Sequence, residues 1–278
     1  MARAVKGIGE AATSYSSSIK EITSKLACAN RVELEALERT FASDTRKGVI
    51  SAIKAAHKRL DKEEKERARV QALYGFQNDL ASKKGAKLIC GLDEVGRGSV
   101  AGPLAVGAVI LPDEPIILGL NDSKQITPEN RVKIAAEIKE FATAWTVQYV
   151  DAAYIDSHGM TASLKLAFSR AVTALEKQGF NIDLLLLDGN PLHFDKREYN
   201  IVHGDARAAS IAAASIVAKV ERDALMIELS KEYPEYHLDS CKGYASAAHI
   251  QAIKELGLTP IHRESFCTAF TQKTLFDD

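Results

Sequence analysis

Four consecutive leucines at positions 184–187, set between Ile182 and Asp188, constrain this chain more than any other feature. The run shows no alternation of apolar and polar residues, which predicts a β-strand over residues 182–188 buried on both faces. Such a strand belongs to a sheet covered by helices on either side. The rest of the chain beyond residue 85 fits that α/β plan, because short β-rich apolar runs alternate with helical stretches. Strands are expected at residues 87–93, 102–111, 144–150 and 199–203, and helices at 128–143, 157–178, 208–231 and 246–256.

The segment Ala81-Ser82-Lys83-Lys84-Gly85 marks a change of composition, so two domains are expected, residues 1–85 and 86–278. With 278 residues and 46% apolar content the chain can bury one good-sized core and support a smaller second unit. From Ser16 to Leu80 there is no proline, and Lys, Glu, Arg, Ala and Leu dominate. Apolar residues at Leu34, Leu37 and Phe41, then at Val49, Ile50, Ile53 and Ala56, recur at helical spacing and predict at least two amphipathic helices. The charged run at 58–69 is expected to be a solvated helix face laced by i,i+4 ion pairs, with a nucleic-acid contact surface as the second reading.

The net charge of −1 conceals an asymmetry: residues 1–90 hold 18 Lys and Arg against 11 Asp and Glu, and the remainder 18 against 26. A basic half joined to an acidic half suits a polyanionic partner, provided that bound divalent cations neutralise the acids of the second half. No uncharged apolar stretch reaches the ~18 residues of a membrane span, and residues 1–20 lack the apolar core of a secretion signal. A soluble, intracellular protein is expected. Cys28, Cys90, Cys241 and Cys267 are scattered, with no zinc-ligand spacing, and read as reduced and mostly buried.

Four carboxylates stand where chain geometry can gather them. Asp93 and Glu94 are expected to end the first strand, Asp188 ends the leucine strand, and Asp205 follows the last short strand. Carboxyl ends of neighbouring parallel strands are where an open sheet binds ligands, so Asp93 and Asp188 meet if their strands are adjacent. Consecutive strand residues point to opposite faces; Asp93 and Glu94 therefore share a site only where the strand yields to the turn Val95-Gly96-Arg97-Gly98. Oxygen ligands without His or Cys suit Mg²⁺ or Mn²⁺, and two such ions ~4 Å apart clamp the attacking and leaving oxygens of a phosphodiester displacement. Asp205 also reads as a helix cap, since Asp is favoured directly before a helix.

At Asp93-Glu94-Val95-Gly96-Arg97-Gly98 the chain closely resembles ribonuclease HII. The likeness continues through Asn121-Asp122-Ser123-Lys124, Leu187-Asp188-Gly189-Asn190, His203-Gly204-Asp205, the helix from Ala212 to Asp223, Lys242-Gly243-Tyr244 and His262-Arg263-Glu264-Ser265-Phe266, covering residues 86–268. Ordered motifs over that span are far more specific than a lone glycine loop. The resemblance implies a ribonuclease H-like fold: a five-stranded mixed sheet with flanking helices, a C-terminal helical part and here an N-terminal helical extension.

It further implies metal ligands at Asp93, Glu94, Asp188 and Asp205, holding two Mg²⁺ or Mn²⁺ ions during catalysis. Asp223 competes for the fourth place. On one straight helix, however, 18 residues would put it roughly 27 Å from Asp205, too far to share the site. The family pattern assigns the ligand to Asp205 and leaves Asp223 a structural role, such as an ion pair with Arg222. Gly96 and Gly98 are expected to let the backbone approach a ribose, whose 2′-hydroxyl distinguishes RNA from DNA. By the same likeness Tyr244 serves that hydroxyl and the next sugar, while Lys124 and Arg97 contact phosphate.

Where many family members carry lysine two positions before the fourth carboxylate, this chain has His203, which implies weaker phosphate binding or greater sensitivity to pH. The expected activity is endonucleolytic hydrolysis of the RNA strand in RNA/DNA hybrids. Nicking 5′ of single ribonucleotides in duplex DNA is also implied, by a cytoplasmic monomer with no membrane partner. A type III ribonuclease H is the nearest alternative, and its turn differs from Gly-Arg-Gly. A non-catalytic hybrid-binding module is the alternative of another class. The extension, basic overall, suits a grip on the hybrid's phosphates as well as a brace for the core.

Overall fold

The computed structural model describes residues 17–271, so Ser16 and the chain ends of both expected domains lie outside the described residues. The chain forms two compact units, one ending at Ala68 and the other beginning at Arg69. In the first, α1 (Ile19–Cys28) and α2 (Arg31–Thr40) each begin with a reciprocal capping box, Ser18 with Glu21 and Asn30 with Glu33. They pack with the first turns of α3 (Lys47–Lys84) through Ile22, Leu26, Leu34, Val49, Ala56 and Leu60. Val49 and Ala56 are buried as the spacing predicts, whereas Ile50 is exposed.

The charged run departs from its expected pattern. Arg59 pairs with Glu63 at 3.0 Å within the helix, but Asp61 and Glu64 are taken by Arg31 of α2, at 2.6 and 2.9 Å. Tertiary rather than i,i+4 pairing dominates, because the α2–α3 turn brings a guanidinium fork alongside two carboxylates.

In the second unit β1 (Ile89–Val95), β2 (Leu104–Ile110), β3 (Ala144–Val150), β4 (Leu184–Asp188) and β5 (Glu198–Ile201) form one mixed sheet in the order β3-β2-β1-β4-β5. The β1–β2 and β2–β3 pairs are antiparallel; β1–β4 and β4–β5 are parallel. The leucine strand divides as a two-sided strand must. Leu185 and Leu187 join Cys90, Leu92 and Phe168 under α5 (Ala152–Glu176), while Leu184 and Leu186 pack with Ile211 of α6 (Ala209–Glu232) on the other face.

Helix α4 (Pro128–Phe141) lies on the α6 side, as do Val70, Leu73 and Tyr74 from the last turns of α3. The composition change at residue 85 is thus the end of a helix, and the compact units divide earlier, inside it. Helices α7 (Leu238–Cys241), α8 (Ala247–Leu256) and α9 (Glu264–Thr271) gather on Val100, Met226 and Tyr236 as the C-terminal helical part. All four cysteines are free, with Cys90 and Cys267 buried, Cys241 half-buried and Cys28 exposed. Among the described residues no helix is long and apolar enough to cross a membrane.

Candidate metal centre

The centre is built on the close approach of α6 to the sheet. Gly91 and Gly107 face that helix, and neither has room for a side chain: a Cβ would lie 2.1 Å from the Ser210 carbonyl carbon and 2.4 Å from the Ala214 oxygen. Small residues on α6 (Ala212, Ala213, Ala214, Ser215, Ala218) complete the contact. Asp93, two positions on from Gly91, therefore faces α6, where the Ser215 hydroxyl lies between its carboxyl group and Ser123 Oγ, 3.1 Å away.

Strand β1 continues past its expected end. Antiparallel pairing with β2 holds as far as Val95 opposite Ala105, whereas the parallel pairing with β4 stops at Leu92 opposite Leu187. Asp93 and Glu94 are consequently strand residues and not part of a turn. They still border one cavity, because beyond Leu92 the β4 side of the strand is open. That cavity, about 550 Å³, is lined by Asp93, Glu94, Asp188 and Asp205, by Gly96, Arg97 and Gly98, and by Ser123, Lys124, Ser215, Lys219 and Tyr244.

Asp205 is not a helix cap. It sits in a 3₁₀ turn, Gly204–Ala206, and the residue at the α6 N-cap is Ala208, which has no capping side chain. The first turn of α6 takes its acceptor from elsewhere: Ser210 N–H donates to Gln77 Oε1 of α3 at 2.9 Å. Asp188 Oδ1 accepts Gly204 N–H at 2.6 Å, which ties the turn carrying Asp205 to the end of β4.

Burial pushes Asp93 well above the ordinary carboxylate range, and the neighbouring Glu94 and Asp188 push it further. Glu94 is raised by burial and by Asp188, with Arg97 opposing; Asp205 is raised by burial, Asp188 and Asp122. Acids that suppress one another's ionisation in this way form a site that gains from a bound cation. Their oxygens are meanwhile turned to local donors: Glu94 N–H donates to Asp93 Oδ1 at 2.8 Å, and Arg97 approaches Glu94 Oε1 at 3.4 Å. Among the described residues no three His, Cys, Asp or Glu groups stand at metal-holding spacing. The donor atoms that the four acids offer to the cavity are all oxygens, the chemistry that suits a hard divalent ion.

Two buried arginines brace the loops beside the cavity. Arg222 on α6, fully buried, donates to Pro103 O (2.8 Å), Lys242 O (2.9 Å), Ser99 Oγ (2.8 Å) and Ala101 O (3.1 Å). Arg263 donates to Gly102 O at 2.9 Å and Arg97 O at 3.0 Å. The Gly96–Gly102 loop is thereby tied to the Lys242-Gly243-Tyr244 turn, and Val100 and Ala101 N–H both donate to Gly243 O. Gly96 has φ +83°, and a Cβ there would lie 2.2 Å from Arg222 Nε; at Gly98 a Cβ would meet nothing within 4 Å. The first glycine is required by the chain's own packing. The second keeps space open toward the cavity.

Tyr244 is 38% exposed, with its ring 5.7 Å from the Arg222 guanidinium and 5.9 Å from Lys219 Nζ. Its carbonyl is held by a buried histidine pair. Thr259 N–H donates to His262 Nδ1 (3.0 Å), which leaves the proton on Nε2 to face His249 Nε2 (3.1 Å), and His249 Nδ1–H then donates to Tyr244 O (2.9 Å).

The structure thus gathers Asp93, Glu94, Asp188, Asp205, Gly96, Arg97, Gly98, Lys124 and Tyr244 around one cavity. His203 is exposed, in a left-handed conformation (φ 54°), and does not line it. Asp223 pairs with Lys219 at 2.8 Å and not with Arg222, whose donors all go to backbone carbonyls and Ser99. Sequence reasoning passed over Ser123, Ser215 and Lys219 as site residues. The signal for the last two is their one-turn spacing on the helix face that carries the small residues.

A family model described as Ribonuclease HII matches residues 90–269, and one described as Ribonuclease HII N-terminal domain matches residues 18–81. The chain is 39% identical over 250 residues to the ribonuclease HII of Staphylococcus epidermidis, covering 89% of this chain and 95% of that one. It is 47% identical over 187 residues to the ribonuclease HII of Koribacter versatilis, covering 67% and 72%. Among solved structures, the ribonuclease HII of Archaeoglobus fulgidus, determined in complex with PCNA, superposes with a TM-score of 0.58 at 26% identity, covering 68% of this chain and all of that one.

Proposed function

Because the chain belongs to the ribonuclease HII family, we propose that its carboxylate cavity hydrolyses the RNA strand of RNA/DNA hybrids and nicks duplex DNA 5′ of a single embedded ribonucleotide. The products carry 5′-phosphate and 3′-hydroxyl ends. The observation that carries the reading is the meeting of acids from β1, β4 and the turn before α6 in one cavity, beside an open Gly98.

Asp93, Glu94, Asp188 and Asp205 are the residues to hold divalent cations. Two Mg²⁺ or Mn²⁺ ions held there would supply the positive charge to activate water and stabilise the leaving 3′-oxygen. The protein's own groups position the strand. Arg97 and Lys124 neutralise phosphates on either side of the cavity, without reading sequence. Gly98 leaves the backbone accessible to a ribose, and its fixed position comes from Arg263 holding the Arg97 carbonyl. Tyr244, braced from behind by Arg222, offers its ring to the sugar beyond the scissile bond. His203, exposed two residues ahead of Asp205, is left to meet phosphate outside the cavity. The protein acts as a cytoplasmic monomer in this reading, with residues 1–85 an extension to the catalytic domain of residues 86–278.

Cleavage of a duplex containing one ribonucleotide, with Mg²⁺ or Mn²⁺, tests the assignment. Asp93→Asn, Glu94→Gln, Asp188→Asn and Asp205→Asn are each expected to lower the rate at least 100-fold with little change in melting temperature. Wild-type cleavage of long hybrids but not of this duplex would move the chain to a type III specificity. An Asp93→Asn protein of unchanged rate would defeat the site assignment.

A further inference from the structure

The first compact unit carries a row of exposed lysines. On α3, Lys47, Lys54, Lys58, Lys62 and Lys65 fall within an arc of about 80° at ~100° per residue. All five are exposed, and none makes an ion pair among the described residues. The acids around them are already claimed: Asp61 and Glu64 by Arg31, Glu63 by Arg59, and Glu38 by His57 at 2.6 Å. The Arg31 guanidinium, with smaller contributions from His57 and Lys65, holds the Asp61 carboxyl below its ordinary range. These acids are turned to partners other than the five lysines, whose ammonium groups face solvent.

Helix stability does not account for this row. Lys47 stands in the first turn of α3, where no acid is present and the helix dipole disfavours positive charge. Lysines placed only for solubility would be expected to alternate with free acids around the helix, as i,i+4 pairing favours. Here they share one side, and from Lys47 to Lys65 the row spans about 27 Å, comparable to eight base pairs at ~3.4 Å each. Flexible ammonium groups bind backbone phosphate as point charges and do not require a particular sequence or sugar.

We propose that this face of α3 is a sequence-independent docking surface for the phosphate backbone of a nucleic-acid duplex, separate from the carboxylate cavity. The proposal rests on the ribonuclease reading for its choice of polyanion, but its test does not depend on cleavage. Full-length protein is titrated against a DNA duplex containing no ribonucleotide, over a series of salt concentrations, alongside a variant with Lys47, Lys54, Lys58 and Lys65 changed to Gln, which keeps helix propensity. The expected result is at least tenfold weaker binding at low salt and a log–log salt slope shallower by about two to four, given ~0.9 per phosphate neutralised. The rate on saturating hybrid should stay within twofold of wild type.

Equal affinity and slope in the two proteins would overturn the proposal, whether or not the protein cleaves RNA. So would a deficit in the variant that stays constant across the salt series, since lost phosphate contacts must narrow the gap as salt rises. Weakened binding by the variant together with an inactive wild type would instead uphold the surface and reject the ribonuclease reading.

Discussion

Gly96 and Gly98 share a motif and have different reasons to be glycine. At Gly96 the backbone has φ +83° and the Arg222 side chain fills the space a Cβ would need. Gly96→Ala is therefore expected to destabilise the protein by about 1–3 kcal/mol, the usual cost of a strained non-glycine conformation, with more from displacing Arg222. Gly98→Ala meets nothing and should change stability by no more than about 0.5 kcal/mol, as surface substitutions do. Yet a methyl there occupies the space offered to a ribose, so cleavage at a single ribonucleotide should fall at least tenfold. Urea unfolding and cleavage rates on the two variants separate these effects. Equal destabilisation of both would mean that the turn serves packing alone. The motif was legible in the sequence, but this division of labour depends on an arginine more than 120 residues away.

At the scale of elements, the Tyr244 turn is held on one side by α6 and on the other by the histidine pair of the C-terminal helices. Burial, then the neighbouring His249, lowers His262 to about 4. A histidine in the unfolded chain titrates near ~6.5, so between those values the unfolded state binds more protons than the folded one. The contribution of His262 is fully present above about pH 6.5 and is lost as the pH falls toward 4, a change on the order of 2 kcal/mol. His262→Gln, which cannot titrate, should flatten this part of the stability profile between pH 7 and 4.5; an unchanged slope would show the pair plays no part. Element positions themselves were largely readable from periodicity, and β3 matches its expected span. Strand β1 begins and ends two residues later than expected, because the pairing of β2 up to Ala105, a non-local contact, carries it to Val95. Ahead of the expected helix, a short helical segment capped by Asp151, whose side chain accepts Tyr154 N–H at 2.7 Å, joins it across a kink at Gly159 (φ 78°), so that α5 as a whole begins at Ala152.

The molecule as a whole divides inside a helix. Residues 69–84 belong to the second unit: Val70, Leu73 and Tyr74 are buried on the α6 side of the sheet, and Gln77 satisfies the uncapped start of α6. A chain beginning at Arg69 should therefore retain the folded second unit. One beginning at Ala86 loses those side chains, each worth about 1.5–3 kcal/mol when fully buried, and should melt at least 10 °C lower or fail to fold. Equal melting of the two would show that the helix end contributes nothing to the core. Sequence by itself determined the two-sided leucine strand, the α/β alternation and the motifs around Asp93, Glu94, Asp188 and the glycine turn, because each is written in local periodicity and short motifs. What only the tertiary structure decided is which groups meet. Asp205 as a cavity residue and not a cap, Arg222 as the brace of two loops, and Arg31 as the partner of Asp61 and Glu64 all depend on contacts between residues distant in the chain. Hydrogen bonds and ion pairs of that kind are set by packing, which local sequence does not encode.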